Sequence, residues 1–215
     1  MPHQLNLWGQ AASSVSSFLH PIPVADGELW WGENFWQQAA LQPNADEVFQ
    51  QLHTQVDWRQ EFITLYGKRR PQPRLTAWYG DEGTTYRYSG LTLQPCRWLP
   101  VLQNIRAVVE TAAACRFNSV LLNLYRTGQD SMGWHSDNEP ELGRNPAIAS
   151  LSFGATRRFI MRRCDRKDAA KVELSLSHGS LLLMKGKLQH HWQHQVPKTS
   201  KIVGPRINLT FRWIA

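Results

Sequence analysis

The sequence predicts a mostly β protein with flanking helices, an α+β chain in which helical segments come first and a β-rich body follows. Three observations carry this. After Asn118, short apolar segments recur at close spacing, separated by turn pairs such as Thr127-Gly128, Phe153-Gly154 and His178-Gly179. Strands so close together, with no helices between them, argue for a sandwich or barrel and against alternating β-α units. Before Asn118, two stretches carry apolar residues at helical spacing instead. The composition, 42% hydrophobic and 19% charged over 215 residues, excludes a disordered, collagen-like or coiled-coil chain.

Taken in order, residues 1 to 42 form a poorly defined N-terminal arm, rich in Gln, Ser, Ala and scattered Trp without a sustained period. Its opening lacks the basic start and apolar core of a secretory leader, and no apolar run reaches the roughly 18 residues of a membrane helix. Cys96, Cys115 and Cys164 lie too far apart for a disulfide framework. Both features fit a reducing compartment, the cytoplasm of a bacterium or the nucleus of a eukaryote. A single domain then spans 43–215. Asn44-Ala45-Asp46-Glu47 reads as a capping box, and Val48, Leu52 and Val56 follow at a spacing of four, which predicts a helix from about 45 to 57. Residues 67–74 place four cations and two prolines in eight positions and read as an exposed basic loop. A turn at Tyr79–Gly83 precedes Tyr86-Arg87-Tyr88. A second helix starts near Pro100, with Leu102, Ile105, Val109 and Ala112 on its buried face. The β region from 118 to 215 reads as strands at Val120–Tyr125, Ala147–Phe153, Arg157–Arg163, Val172–Leu176, Ser180–Met184 and Arg206–Ile214.

Charge and aromatic content point toward a polyanion. Lys and Arg number 24 against 17 acids, a net charge of +7, and ten Trp, eight Phe and five Tyr exceed the usual needs of a core this size. The last strand is the most informative stretch. Side chains alternate along a strand, so Arg206, Asn208, Thr210 and Arg212 share one face, and Ile207, Leu209, Phe211 and Trp213 share the other. Two guanidiniums beside an amide suit a carboxylate or phosphate, although a solvated outer face would read the same way. Asn123 and Tyr125 likewise share a face. In Gly133-Trp134-His135-Ser136-Asp137, an extended backbone points His135 and Asp137 the same way, toward one ion. The third ligand is left open among His178, His190, His191 and His194. Two imidazoles and a carboxylate on one octahedral face leave three open positions, the arrangement of non-haem Fe(II) oxygenases.

Together these stretches resemble the AlkB family of Fe(II)- and 2-oxoglutarate-dependent dioxygenases. The resemblance rests on Asn123-Leu124-Tyr125, His135-Ser136-Asp137-Asn138-Glu139, Ile148–Gly154, His178-Gly179-Ser180-Leu181, His191-Trp192-Gln193-His194 and Pro205–Arg212. It runs from about residue 60 to the end and is closest to the double-strand-acting homologue-two branch, through Leu65-Tyr66-Gly67-Lys68, Pro73-Arg74 and Tyr86–Leu93. It implies a double-stranded β-helix, or jelly-roll, core over 118–215, with substrate-binding hairpins within 43–117. It implies His135, Asp137 and His194 as the catalytic Fe(II) ligands. Arg206 and Arg212 would hold the two ends of 2-oxoglutarate, supported by Asn123, Tyr125 and Asn208, with O₂ as the second cosubstrate.

The implied reaction is oxidative demethylation of N1-methyladenine and N3-methylcytosine in double- or single-stranded DNA, or in RNA. Its products are formaldehyde, succinate and CO₂, and the implied enzyme is a monomer that binds no membrane. The target base must leave its stack to be reached. Tyr88 would stack on it opposite His135, Tyr86 would line the same pocket, and Glu139 would meet the base edge. Tyr66 would be an aromatic finger filling the vacated stack, and Arg69, Arg70 and Arg74 would neutralise flanking phosphates. Two rival readings stay open: a non-catalytic nucleic-acid-binding module with a structural metal, and a same-fold hydroxylase of proteins or small molecules.

Overall fold

Alternation in the terminal strand sorts the molecule into layers. The computed structural model describes residues 15–65, 67–88, 91–166 and 168–215, with the backbone alone at 65, 86–88 and 91–93. In chain order the strands are β1 (His20–Ile22), β2 (Glu28–Gly32), β3 (Phe62–Leu65), β4 (Lys68–Pro71), β5 (Leu75–Gly80), β6 (Tyr86–Tyr88), β7 (Leu91–Leu93) and β8 (Ser119–Tyr125). They continue as β9 (Met132–His135), β10 (Ile148–Gly154), β11 (Arg157–Arg163), β12 (Val172–Leu176), β13 (Ser180–Lys185), β14 (Trp192–Val196) and β15 (Arg206–Arg212). The α-helices are α1 (Phe35–Gln38), α2 (Ala45–Gln55), α3 (Pro100–Ala113) and α4 (Leu188–His191).

Two antiparallel sheets form the body. The larger has the order β1-β2-β13-β10-β15-β8-β5, and the smaller has the order β12-β11-β14-β9. Ile207, Leu209 and Phe211 of β15 pack with Leu122 and Leu151 against Val48 and Leu52 of α2 and Leu102, Ile105 and Val109 of α3. The second core lies between the sheets, where Tyr125, Ile148 and Met184 of the larger meet Phe159, Met161 and Trp192 of the smaller. The polar face of β15 therefore points into the space between the sheets. Helices cover the other face of the larger sheet, which is the arrangement a jelly-roll core with flanking helices requires.

Local chemistry fixes the helix ends. The capping box forms as the sequence predicts: Glu47 N donates to Asn44 Oδ1 at 3.0 Å, and Asn44 N donates to Glu47 Oε2 at 2.9 Å. Proline opens α3, and Ala114 ends it in the left-handed region at φ 50°. Lys185 Nζ donates to the Ala113 carbonyl at this end. Gly154, at φ 87°, ends β10 where an added Cβ would stand 2.4 Å from the Pro205 carbonyl oxygen. That close approach delivers the chain into β15 beside β10.

Three expectations are corrected. Within the expected N-terminal arm, residues 20–32 are not poorly defined. They form β1 and β2, and β2 pairs with β13 from Leu181↔Gly32 to Lys185↔Glu28. Trp192 Nε1 donates to the Ala25 carbonyl at 2.9 Å, and Arg163 Nη1 donates to Asp26 Oδ2 at 2.6 Å, so the connection between these strands is tied to the smaller sheet. Strands of three and five residues are too short to display a period. The basic stretch is no simple loop either: β4 pairs with β3 in a hairpin, with Pro71 at its end, where a missing N–H is tolerated. The last strand stops at Arg212, and Trp213 is 51% exposed, not on the apolar face.

If residues 20–32 are integral to the sheet, Leu29, at 1% exposure, is a core residue. Leu29→Ala is expected to cost about 2–5 kcal/mol in urea unfolding. A cost below about 0.5 kcal/mol, typical of a surface site, would return this segment to a loosely packed arm.

Candidate metal centre and anion site

The pairing of β14 with β9 sets His194 directly opposite His135, so the two imidazoles project from the same face with ring centroids 4.2 Å apart. Asp137 lies two residues beyond His135. The ligand atoms of the three lie within 4.8 Å of one another, and among the described residues they are the one group suited to hold a metal ion. His135 Nδ1 donates to the Gly133 carbonyl at 2.8 Å, which fixes the tautomer and leaves Nε2 free as a ligand. His194 is buried with its ring stacked on Phe159 at 5.2 Å. Burial, reinforced by His135 and only partly opposed by Asp137, pushes its pKa down to about 3. Burial alone would raise the Asp137 carboxyl, but Arg212, with His194 and His135, outweighs it and holds the group below the usual range. Arg212 Nη2 donates to Asp137 Oδ1 at 2.5 Å. A neutral imidazole and an ionised carboxylate are the forms a metal requires.

The other histidines have different work. His178 Nδ1 accepts from Gly154 N at 2.8 Å, which ties the β12–β13 turn to the end of β10. His190 Nε2 bonds the Arg144 carbonyl, and His191 Nδ1 lies 3.6 Å from Asp165. Two contacts that the sequence did not reveal hold the segment carrying Asp137. Its backbone N–H donates to Gln189 Oε1 at 2.9 Å, and Ser136 Oγ donates to the Trp192 carbonyl at 2.9 Å.

The polar face of β15 lines the same pocket. Arg206 pairs with Tyr125, and Asn208 with Asn123, across β8. The Arg206 side chain is 1% exposed, lies over the Tyr125 ring at 5.1 Å and donates from Nη2 to Ser152 Oγ at 2.9 Å. Its Nε and Nη1 have no hydrogen-bond partner among the described residues. Burial, partly offset by Tyr125, lowers its pKa to about 10, so it stays a cation at neutral pH. Each unmet buried donor costs about 1–3 kcal/mol, and an anionic ligand would relieve that cost through charge-assisted hydrogen bonds. These residues therefore fit an anionic ligand beside a divalent cation.

The remaining expected residues fall in different places. Asn208 is engaged within the sheet: its Nδ2 donates to Ser150 Oγ and the Leu151 carbonyl, and its Oδ1 accepts from Thr210. Arg74 is corrected from a phosphate contact. It is 8% exposed and turned inward, and its Nε donates to Asn123 Oδ1 at 2.7 Å. The amide of Asn123 draws this guanidinium away from the basic hairpin and is itself oriented by it. Arg69 and Arg70 are exposed on β4, with the Arg69 guanidinium 4.4 Å from the Phe62 ring centroid. Glu139 is half-buried, just before the turn at Pro140–Leu142. Tyr66 lies outside the described residues. The backbones of Tyr86 and Tyr88 pair with Leu93 and Leu91, and their side chains lie outside the description. Ser150 and Ser152 were missed, although their alternation within a strand was a legible signal. Gln189 carried none.

Comparison with known proteins gives a consistent picture. Residues 31–212 match the model of the 2OG-Fe(II) oxygenase superfamily. The chain is 48% identical to alpha-ketoglutarate-dependent dioxygenase alkB homolog 3 of Bos taurus, over 79% of this chain and 62% of that protein. It is 44% identical to DNA oxidative demethylase ALKBH2 of Homo sapiens, over 79% of this chain and 69% of that one. The chain thus spans about 62% of the length of the homolog 3 relatives. The solved structure of OsALKBH1 superposes with a TM-score of 0.63 at 19% identity, covering 90% of this chain and 100% of that one, a likeness of fold.

Removing a ligand and removing its support should differ in degree. With Co(II) as a spectroscopic probe, His135→Ala, Asp137→Ala and His194→Ala are expected to lose the ion, and His190→Ala to keep it. Gln189→Ala is expected to weaken binding about 10–100-fold, the usual effect of losing a group that orients a ligand. Loss of Co(II) in His190→Ala with retention in His194→Ala would reverse the assignment.

Proposed function

The chain belongs to the 2OG-Fe(II) oxygenase superfamily, and within it to the AlkB family, and from that premise we propose that it oxidatively removes alkyl groups from N-alkylated bases in nucleic acid. The observation that carries this reading is Arg206, a buried guanidinium with two unmet N–H groups on the strand face that ends at the partner of Asp137. In this reading His135, Asp137 and His194 hold Fe(II), and Arg206 binds a carboxylate of 2-oxoglutarate. When bound, Fe(II), 2-oxoglutarate and O₂ supply an oxidising power that no side chain here has, with succinate, CO₂ and formaldehyde as products.

The chain's own residues do the rest. Arg212 keeps Asp137 ionised and oriented. Tyr125, beneath the Arg206 guanidinium, and Asn123, fixed by Arg74, shape the anion end of the pocket. Phe159, Leu176, Met184 and Val196 exclude water around the cluster. The polymer is assigned to the basic side: Arg69 and Arg70 of the hairpin meet phosphates, and Tyr66 between its strands fills the stack left by the flipped base. Tyr86, Tyr88 and Glu139 are assigned to the base itself. N1-Methyladenine and N3-methylcytosine in DNA are the proposed lesions, with RNA as the rival polymer. Among the described residues no helix is long and apolar enough to cross a membrane.

The test is release of formaldehyde and succinate from matched methylated single- and double-stranded DNA and RNA. Release that requires both Fe(II) and 2-oxoglutarate is expected. Tight binding of nucleic acid without turnover would favour the binding module instead. Arg206→Ala is expected to raise the 2-oxoglutarate requirement by well over tenfold, since a buried carboxylate loses a charged partner worth about 2–5 kcal/mol. Arg206→Lys should rescue poorly because an ammonium lacks the fork. Tyr66→Ala is expected to slow repair of methylated duplex by about five- to a hundredfold and to spare the single strand, because only the duplex demands that a vacated stack be filled. Equal loss on both would assign Tyr66 to the general binding surface.

A further inference from the structure

Arg157 opens β11 and is 3% exposed, yet its hydrogen-bond partners among the described residues are carbonyl oxygens and not a carboxylate. Its Nη1 donates to Thr127 at 3.2 Å, and its Nη2 donates to Asp130 at 2.8 Å and Pro197 at 2.7 Å, with Gly128 at 3.5 Å. Asp130 offsets its charge only in part: that carboxylate acts on Arg157 through space, but its hydrogen bonds go to the Nε, Nη2 and backbone N–H of Arg126. A buried cation that shares its nearest acid with a second arginine is costly, so its place in the fold calls for an account.

Two features of its surroundings supply one. The carbonyls it gathers come from the two loops that bracket the metal strands. Thr127, Gly128 and Asp130 precede β9, which carries His135, and Pro197 follows β14, which carries His194. The loops also touch directly, through Thr199 N donating to the Gly128 carbonyl at 2.8 Å and Gln129 Nε2 donating to the Thr199 carbonyl at 3.2 Å. The guanidinium itself lies 5.6 Å from the centroid of the Tyr125 ring, the ring over which Arg206 sits at 5.1 Å. One aromatic ring thus serves two buried arginines, and neither is paired with an acid.

We propose that Arg157 is a positioning residue for the 2-oxoglutarate site, clamping the two loops together and fixing Tyr125 against Arg206 so that the carboxylate-binding end is preformed and keeps a net positive field. The proposal rests on the reading of this pocket as a 2-oxoglutarate site. Carbonyl partners matter to it: a carboxylate partner would cancel the charge, whereas carbonyl oxygens hold the guanidinium in place and leave its field for an arriving anion. Arg157 does not line the pocket, so it acts through Tyr125 and the loops and not by touching the ligand.

The test is calorimetric titration of 2-oxoglutarate into Mn(II)-loaded wild type, Arg157→Met and Arg157→Lys, with Mn(II) affinity measured separately by electron paramagnetic resonance. Arg157→Met is expected to weaken 2-oxoglutarate binding by about tenfold or more while Mn(II) affinity stays within about threefold. Arg157→Lys, which keeps the charge and loses the fork, should fall between, and it carries the test alone if the methionine variant fails to fold. Wild-type affinity for 2-oxoglutarate in either variant would overturn the proposal. So would parallel loss of Mn(II) and 2-oxoglutarate with a lowered Tm, which would make Arg157 a structural clamp only. Failure of the wild type itself to bind 2-oxoglutarate would instead overturn the reading of the site on which the proposal rests.

Discussion

The ion pair between Asp137 and Arg212 is the constraint on which the rest of the structure depends. Asp137 follows β9 of the smaller sheet, and Arg212 ends β15, which lies between β10 and β8 in the larger one. Their contact joins the layers at the point where two imidazoles also converge. A buried carboxylate without a cationic partner would be costly, and breaking a buried pair from one side commonly costs about 3–5 kcal/mol. The arginine thus makes a charged metal ligand tolerable in the interior before any metal is bound. It also explains why the polar face of a central strand can be turned inward.

That inward face is nearly complete in its own bonding. Asn208 is closed by Ser150, Leu151 and Thr210, and Asn123, its partner on β8, is held by Arg74. What remains over is informative. Buried donors without partners among the described residues include Nε and Nη1 of Arg206 and Nε of Arg212, all from one strand face. Interiors rarely leave such groups unmet, and where they do a ligand is the economical explanation. Apolar side chains of the second core surround this polar strip, which strengthens every charge interaction within it.

Much of this was legible in the sequence, and the limits are physical. Alternation in Arg206–Arg212 announced both faces of β15, and the capping box at Asn44 announced α2, because each signal is local. The choice of His194 over its three rivals was not local. It came from resemblance, and its structural basis is the register that sets His194 opposite His135. Residues 20–32 hid two strands because Trp30 and Trp31 are both half-buried and show no alternation. Arg74 hid in a run of cations that reads as surface, and partners distant in sequence, Asn123 and the Ser131 carbonyl, turn it inward. Arg157 and Arg158 look equivalent as neighbours, yet alternation buries one and exposes the other.

The central claim is that the two histidines, the carboxylate and the Arg206 strand face form one site for Fe(II) and 2-oxoglutarate together. The most direct measurement is the visible absorption spectrum of the Fe(II)-loaded protein titrated with 2-oxoglutarate without oxygen. A weak metal-to-ligand charge-transfer band that grows to saturation at one equivalent of 2-oxoglutarate per chain is the predicted result. Fe(II) that binds and yields no such band at any 2-oxoglutarate concentration would contradict the account, since the metal and the anion would then not share a site.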